Sequence, residues 1–238
     1  MNNIEKLQSL IDEAKRITVI TGAGVSTDSG IKDFRSKEGL YNISYRFLPE
    51  TILSHSFFIN NTKEFYRFYL DKMDARKANP NIVHKYLKEL EDKNKLSLII
   101  TQNIDGLHSI AGNKKLVELH GSIYRNYCMK CHKYFDASYV FNCKDIPYCE
   151  CGGLIKPDVV LYEEQLDHND LNNSIKALHD SDLLLILGTS LKVYPANSLL
   201  VYYGGKDIVI INNDGTDYDR CASLVINKPL KEVFTKIK

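Results

Sequence analysis

Short, fully apolar segments recur along this chain, and they constrain its fold more than any other feature. The segments are residues 17–21, 96–101, 116–119, 183–187, 208–211 and 223–226. They lack the polar alternation of a half-exposed strand, so they are typical of strands buried on both faces of a parallel sheet. Helical periodicity separates several of them, at residues 4–14, 82–91, 171–179 and 229–237. The alternation predicts an α/β fold with a Rossmann-type parallel sheet.

Two stretches interrupt the alternation of strands and helices. Residues 31–79 are rich in phenylalanine and tyrosine with helical spacing in their second half, and most cysteines fall within residues 122–156. We interpret both as insertions into one compact domain, with the ligand site in the cleft between them and the sheet. The expected division is a large Rossmann part of residues 1–30, 80–121 and 157–238, and a smaller part made of a helical insertion, 31–79, and a zinc ribbon, 122–156.

Composition excludes several classes of protein. Of the 238 residues, 44% are hydrophobic and 26% charged, and 31 basic residues face 30 acidic ones. No overall field therefore attracts nucleic acid or a membrane surface. No apolar run approaches the roughly 20 residues of a membrane helix, and the first residues lack the basic head and apolar core of a secretory signal. We expect a cytoplasmic protein, monomeric by default, without a membrane segment or sequence-specific nucleic acid binding.

Five of the six cysteines are crowded into one stretch. Cys128 and Cys131 form a C-x-x-C pair, Cys149 and Cys151 form a C-x-C pair, and 17 residues, positions 132–148, lie between the pairs. This spacing predicts a structural Zn²⁺ site with four thiolate ligands, although Cys143 could replace one of them. A redox pair is the competing interpretation. It is disfavoured because nothing places the C-x-x-C at the start of a helix after a strand.

The first apolar segment ends in the glycine turn Gly22-Ala23-Gly24, which Ser26 and Thr27 follow. Glycines let a backbone approach a pyrophosphate closely, and a helix starting there would offer unpaired N–H groups. Such a turn also arises merely to make the corner between strand and helix. Thr27 replaces the third glycine of G-x-G-x-x-G, and no acid-terminated second strand follows about 20 residues later, which disfavours a dehydrogenase.

The loop after the glycine turn carries Phe34 and Arg35. The aromatic ring could cover a nicotinamide and the guanidinium could bind phosphate, although an ordinary loop would also contain such residues. A second polar group, Gln102, Asn103 and Asp105, follows the strand predicted at 96–101 and therefore faces the ligand crevice. Its Asx residues could equally serve a turn.

One histidine of the seven is placed to react. His120 directly follows the strand predicted at 116–119, and Gly121 leaves room beside it for a ligand. A neutral imidazole at that position can act as a general base near neutral pH. His84, within a helical pattern, is expected to pack or be solvated, and His108 to brace the amide cluster.

Taken together, these motifs resemble the sirtuin family of NAD-dependent protein deacylases over about residues 4–237. In family order they are GAGVSTDSGIKDFRS (22–36), TQNIDGLH (101–108), HG (120–121), the paired cysteines, KPDVVLYEE (156–164), GTSLKVYPA (188–196) and IIN (210–212). The resemblance implies an NAD-dependent protein lysine deacetylase with one structural zinc. Its products would be free lysine, nicotinamide and O-acetyl-ADP-ribose.

The resemblance also implies a role for individual residues. His120 would be the general base, with Asn103 beside it at the ribose. The residues expected to bind NAD are Gly22, Ala23, Gly24, Ser26, Thr27, Phe34, Arg35, Gln102, Asn103, Ile104, Asp105, His120, Gly188, Thr189, Ser190, Asn212, Asn213 and Cys221. An acyl-lysine peptide would add as a strand. Its expected contacts are Val159, Val160, Leu161, Tyr162, Glu163 and Val193.

The chain departs from the family pattern at a few positions. Lys32 stands where the lid loop usually has proline, and Glu163 where the peptide-binding loop has glycine. Members that remove succinyl or malonyl groups resemble each other in a Tyr and an Arg three residues apart; here Tyr66 is followed at that step by Tyr69. We therefore expect neutral acyl groups, acetyl first. The alternatives are mono-ADP-ribosyl transfer to protein and a non-catalytic NAD-sensing module.

Overall fold

The structure, a computed structural model, describes residues 2–33, 39, 45–192 and 196–238. Its strands are β1 (Ile17–Thr21), β2 (Leu96–Thr101), β3 (Leu116–Glu118), β4 (Gly121–Cys128), β5 (Tyr134–Asp136), β6 (Ile155–Val159), β7 (Leu183–Leu187), β8 (Asp207–Asn212) and β9 (Leu224–Asn227). Its α-helices are α1 (Asn3–Glu13), α2 (Pro49–Ile52), α3 (His55–Asn60), α4 (Thr62–Lys72), α5 (Ile82–Asp92), α6 (Leu107–Ile110), α7 (Ala137–Phe141), α8 (His168–Asp180) and α9 (Leu230–Phe234).

Six strands form one parallel sheet in the order β3-β2-β1-β7-β8-β9. Successive residues of β1 point to opposite faces: Val19 belongs to the core that includes α1, α5 and α9, and Ile20 to the core that includes α8. Every residue of β1 and β7 is buried because helices cover both faces. The predicted α/β fold with a Rossmann-type parallel sheet is confirmed.

The predicted elements differ from the observed ones mainly at their ends. The bounds of β1, β2 and β7 are as predicted, and those of the other parallel strands differ by one residue at one or both ends. Helix α8 begins at His168, three residues before the apolar periodicity, because the Asp167 carboxylate caps the amides of Asn169 and Asp170. The helix expected to start in the glycine turn is replaced by two 3₁₀ turns, Ala23–Val25 and Thr27–Ser29. A helix dipole is therefore not available to bind phosphate there.

A second, three-stranded sheet in the order β5-β4-β6 is antiparallel. Its strands were not predicted, because the segment shows little periodicity. Rings from α3 and α4, including Phe58, Phe65 and Tyr66, share one buried core with Ile123 and Ile155 of this small sheet. The helical and cysteine-bearing segments therefore pack together beside the parallel sheet. Among the described residues, no helix combines the length and apolar character needed to cross a membrane.

Candidate active site

A cavity of about 800 Å³ lies at the carboxyl ends of the parallel strands, bounded on the other side by the smaller part. The predicted residues that line it are Ala23, Gly24, Ser26, Thr27, Gln102, Asn103, Ile104, Asp105, His120, Val159, Val160, Leu161, Tyr162, Glu163, Gly188, Thr189, Ser190, Asn212 and Asn213. The loops after β1, β2, β3 and β7 and the end of β8 with the residue after it supply most of them, as the direction of the parallel strands requires. The end of β6 and the loop after it supply residues 159–163.

Two of the predicted residues that the structure describes do not line this cavity. Gly22 lies beside it, and its carbonyl oxygen accepts a hydrogen bond from Asn103. Cys221 is exposed in the 3₁₀ turn Asp219–Cys221. Phe34 and Arg35, and also the peptide contact Val193, fall outside the described residues.

Two glycine-containing loops form one wall of the cavity by direct backbone contact. The Gly24 amide donates to the Gly188 carbonyl oxygen at 2.8 Å, and a Cβ added to Gly24 would lie 2.8 Å from Gly188 Cα. Gly188 itself has φ of 58°, in the left-handed region that glycine adopts without strain. The loops after β1 and β7 can approach this closely only because neither residue has a side chain.

Ser26 joins the two polar motifs into one buried network. Its hydroxyl donates to Asp105 Oδ2 at 2.6 Å and accepts from Asn103 Nδ2 at 3.1 Å. Asn103 Nδ2 is also 3.1 Å from the Gly22 carbonyl oxygen, and the Leu107 amide donates to Asp105 Oδ1 at 2.9 Å. The amide and the carboxylate are thus oriented before any ligand binds.

Burial opposes ionisation of Asp105, whose side chain lies inside this network. Desolvation raises the pKa of the carboxyl group above its ordinary value, and the hydrogen bonds from Ser26 and the Leu107 amide only partly offset it. A buried carboxyl at a cavity wall can accept hydrogen bonds from an uncharged donor such as an amide group. It therefore suits recognition of a carboxamide.

His120 lies between β3 and β4 and lines the cavity. Its Nδ1 is 2.9 Å from the Gln102 carbonyl oxygen, which can only accept, so the neutral ring carries its proton on Nδ1 and has Nε2 as its basic nitrogen. Burial lowers the pKa of the imidazole below its ordinary value, and the bond to Gln102 partly offsets this. The ring is therefore neutral near pH 7 and able to accept a proton.

One wall of the cavity comes from the helical insertion, at residues that the sequence did not single out. The end of α4 and the segment after it contribute Asp71, Lys72, Met73, Asp74, Ala75, Lys77 and Ala78. Its charged residues pair with each other, as in the contact of 2.8 Å between Arg76 and Asp74. In sequence such a segment looks like any solvated loop, and no signal in it indicates a cavity.

The four cysteines Cys128, Cys131, Cys149 and Cys151 come together at one end of the small sheet. All four sulfur atoms lie within 4.8 Å of one another, with contacts of 3.5 Å between Cys128 and Cys151 and 3.6 Å between Cys131 and Cys149. Tetrahedral Zn–S bonds of about 2.3 Å separate sulfur atoms by about 3.8 Å, so the four thiols fit a structural zinc site. The spare Cys143 is not in this group; its thiol contacts the Tyr139 carbonyl oxygen at 3.2 Å.

The crevice of this α/β fold contains an oriented amide, a buried carboxyl group and a neutral imidazole, and a tetrathiolate site lies in the smaller part. This combination is typical of an enzyme that binds a nucleotide cofactor. The Sir2 family model matches residues 22–195. The chain is 49% identical to the NAD-dependent protein deacetylase of Clostridium tetani, over 98% of this chain and 96% of that relative. It is 42% identical to the Fusobacterium nucleatum enzyme of the same name, over 98% of this chain and 90% of the relative.

Solved structures agree with this assignment. A Sir2 structure with p53 peptide and NAD⁺ superposes with a TM-score of 0.88 at 35% identity, covering 99% of this chain and 97% of that one. Another, with a deacetylated p53 peptide and 3'-O-acetyl ADP-ribose, gives a TM-score of 0.91 at 34% identity with the same coverage. The chain belongs to the Sir2 family, and the resemblance to sirtuins is confirmed.

Proposed function

We propose that this chain is an NAD-dependent protein lysine deacetylase that transfers the acetyl group to ADP-ribose and releases nicotinamide. The observation that carries the proposal is the neutral imidazole of His120, held by the Gln102 carbonyl with Nε2 as its basic nitrogen. It lines the same cavity as Asn103 and Asp105. Family membership and the deacetylase relatives support the same reaction.

The residues around the cavity fit NAD, which supplies the glycosidic bond that is broken. Asp105, buried and held by Ser26, would accept a hydrogen bond from the carboxamide. Asn103 would orient the ribose, and His120 would accept a proton from a ribose hydroxyl. The other proposed NAD contacts are Gly22, Ala23, Gly24, Thr27, Phe34, Arg35, Gln102, Ile104, Gly188, Thr189, Ser190, Asn212, Asn213 and Cys221.

Neutral acyl groups are the preferred substrates in this proposal. Tyr66 and Tyr69 are completely buried among other rings, and the Tyr66 hydroxyl donates to the Ile155 carbonyl oxygen. Tyr69 stacks on Phe65 and Phe141 at centroid distances of 5.5 and 5.3 Å. Neither tyrosine offers the positive charge that would pair with a succinyl or malonyl carboxylate.

The acyl-lysine peptide would bind along Val159, Val160, Leu161, Tyr162, Glu163 and Val193, mainly through main-chain hydrogen bonds. We further propose that the protein works in the cytoplasm as a monomer. Sequence-specific nucleic acid binding is not proposed, because a net charge of +1 gives no overall attraction to a polyanion. The proposed domain division into a Rossmann part and a smaller helical and zinc part follows the two sheets and their separate cores. Light scattering on the purified chain measures the oligomeric state.

The reaction can be tested with NAD and an acetyl-lysine peptide. We expect release of nicotinamide that depends on the peptide, with O-acetyl-ADP-ribose identified by its mass. The His120→Ala variant should lose about 100-fold or more in kcat, because a general base contributes roughly 10²–10⁴-fold. His168→Ala, at an exposed position on α8, is the matched control and should keep full activity.

The alternatives give different products in the same assay. Release of nicotinamide without peptide, with the ADP-ribose label left on protein, would indicate mono-ADP-ribosyl transfer. Binding of NAD without turnover of any acyl-lysine peptide would indicate a non-catalytic NAD-sensing module. Full activity in His120→Ala would contradict the assignment of the base.

A further inference from the structure

We propose that Glu163 is a positioning residue that holds the peptide-binding loop, residues 159–164, in shape by binding the start of α3. The inference rests on the proposed function, in which this loop pairs with the substrate peptide. The proposal concerns how the protein holds the loop in its conformation and not which peptide sequence the loop recognises. All six residues of the loop line the cavity, so a change in the shape of the loop changes the shape of the site.

The backbone of the loop is joined to the segment between α2 and α3. The Tyr162 amide donates to the Leu53 carbonyl oxygen at 2.9 Å, and the His55 amide donates to the Tyr162 carbonyl oxygen at 2.9 Å. This short parallel bridge, between Ser54 and Tyr162, is the point where the loop meets the helical insertion. The next residue along the loop is Glu163.

Glu163 has φ of 76°, in the left-handed region that side chains other than glycine avoid. Such a conformation persists only when the surroundings compensate for its strain. The compensation comes from Ser56: its amide donates to Glu163 Oε2 at 2.8 Å and its hydroxyl donates to Oε1 at 2.9 Å. The Ser56 amide lies in the first turn of α3, where amides lack a partner within the helix.

Both carboxylate oxygens of Glu163 are therefore engaged within the protein, which argues for an anchoring role. The neighbouring Glu164 also secures the loop. It accepts hydrogen bonds from the Leu161 amide at 2.9 Å and from Lys156 Nζ at 3.0 Å, and it contacts His55 Nδ1 at 2.8 Å. Two consecutive carboxylates thus tie the loop to the first residues of α3 and to the start of β6, and they hold the backbone of Leu161 and Tyr162.

Three substitutions separate this role from its alternatives. Glu163→Gln keeps an acceptor for the Ser56 amide and a polar group for its hydroxyl. Glu163→Gly removes the bonds to Ser56 but adopts the left-handed conformation without strain. Glu163→Ala removes the hydrogen bonds to Ser56 and keeps the backbone strain of the left-handed conformation. Of the three variants, it should therefore change the conformation of the loop the most.

The experiment measures KM for an acetyl-lysine peptide, KM for NAD and kcat for the wild type and these variants. We expect the peptide KM to stay within about twofold for Gln, to rise about threefold for Gly and to rise about tenfold or more for Ala, at a nearly constant KM for NAD. Hydrogen exchange of the loop amides should rise in the same order, because the loop then opens more often. Asn94→Ala, at another left-handed residue outside the cavity, is the matched control: its Tm should fall but its peptide KM should not change.

The order of the variants decides the outcome. Equal increases in KM for Gln, Gly and Ala would show that the negative charge reads the peptide, and unchanged values in all three would show that Glu163 is dispensable; either result overturns the proposal. A wild type without peptide-dependent nicotinamide release would refute the proposed function instead. Hydrogen exchange of the loop needs no activity, so it still tests the contact between Glu163 and Ser56 in that case.

Discussion

Two buried histidines beneath the cavity should make the fold sensitive to mild acid. His84 on α5 and His108 on α6 are 0% and 2% exposed, and their ring centroids are 4.7 Å apart. His108 Nε2 contacts the hydroxyl of Thr21 at 3.1 Å, and His84 Nδ1 accepts from the Asn81 amide at 3.3 Å. Burial lowers the pKa of His84 to about 4 and that of His108 to about 3, where the neighbouring His84 contributes as well.

The sign and size of the effect follow from these pKa values. In the unfolded chain each imidazole binds a proton as the pH falls through its ordinary pKa of 6.5, whereas the folded protein does so only near pH 4 or 3. The unfolded state binds more protons in this window, so the free energy of unfolding decreases as the pH falls. Between about pH 7.5 and 5.5 the loss is about 1.3 kcal/mol for each histidine and about 2.7 kcal/mol for the pair.

Urea unfolding of the wild type and of His84→Gln at the two pH values tests this reasoning. The glutamine does not titrate, so the variant should lose about 1.3 kcal/mol less stability than the wild type on acidification. Any other effect of acid acts on both proteins, so the difference between them isolates the imidazole of His84. Leu87→Ala, in the core contact of the same helix, is the control and should lower stability equally at both pH values. The same pH dependence in His84→Gln and wild type would refute the reasoning.

Three further changes have effects that the structure makes specific. Gly121→Ala would place a Cβ 1.9 Å from the Asp158 carbonyl oxygen at φ of 75°, so urea unfolding should show a loss of about 3 kcal/mol or more. Cys151→Ser should remove bound zinc, measured by elemental analysis, and destabilise the small sheet, whereas Cys143→Ser should keep about one zinc per chain. Arg125→Gln breaks contacts of 2.6 and 2.7 Å to two carboxylates, one of them nearly buried; because Arg125 and Asp158 are 39% and 42% exposed, the loss in urea unfolding should be about 1–2 kcal/mol.

Each of these results can go against the structure. A Gly121→Ala variant with wild-type stability would mean that β4 and β6 are not in close contact at that point. Zinc lost equally from the Cys143→Ser variant would mean that the spare thiol is a ligand. Wild-type stability in Arg125→Gln would mean that the ion pairs between β3, β4 and β6 contribute nothing.

The parallel sheet could be predicted because its strands are apolar on both faces. The bounds of β1 and β7 follow directly, since all their residues are buried and a polar or glycine residue ends each run. The small sheet could not be predicted, because β4 buries an irregular set of its residues and is held by the cysteine site and by aromatic rings from distant helices. Sequence periodicity reveals a strand that is buried on one face, and β4 lacks such a regular pattern of burial.

The candidate site also has a part that could be predicted from the sequence and a part that could not. Ser26, Asn103 and Asp105 lie within five residues of the end of a parallel strand, and the direction of the strand places such residues in the crevice. The bond between Ser56 and Glu163 joins residues 107 positions apart, and nothing local to either residue indicates it. The resemblance to sirtuins leads us to expect glycine at position 163, so Glu163 marks the loop as unusual, but its partner Ser56 is visible only in the folded chain.

His84, His108 and His120 show why the position of a histidine in the fold decides its reactivity. All three lose basicity through burial, so desolvation alone does not distinguish them. His84 and His108 lie behind β1 and β2 with almost no exposed surface, and protonating either one there would leave a charge in the core. His120 lies at the cavity, and the carbonyl oxygen of Gln102 both fixes its proton on Nδ1 and stabilises the imidazolium that forms when Nε2 accepts another. The same residue type therefore destabilises the fold in acid at two positions and can act as a base at the third.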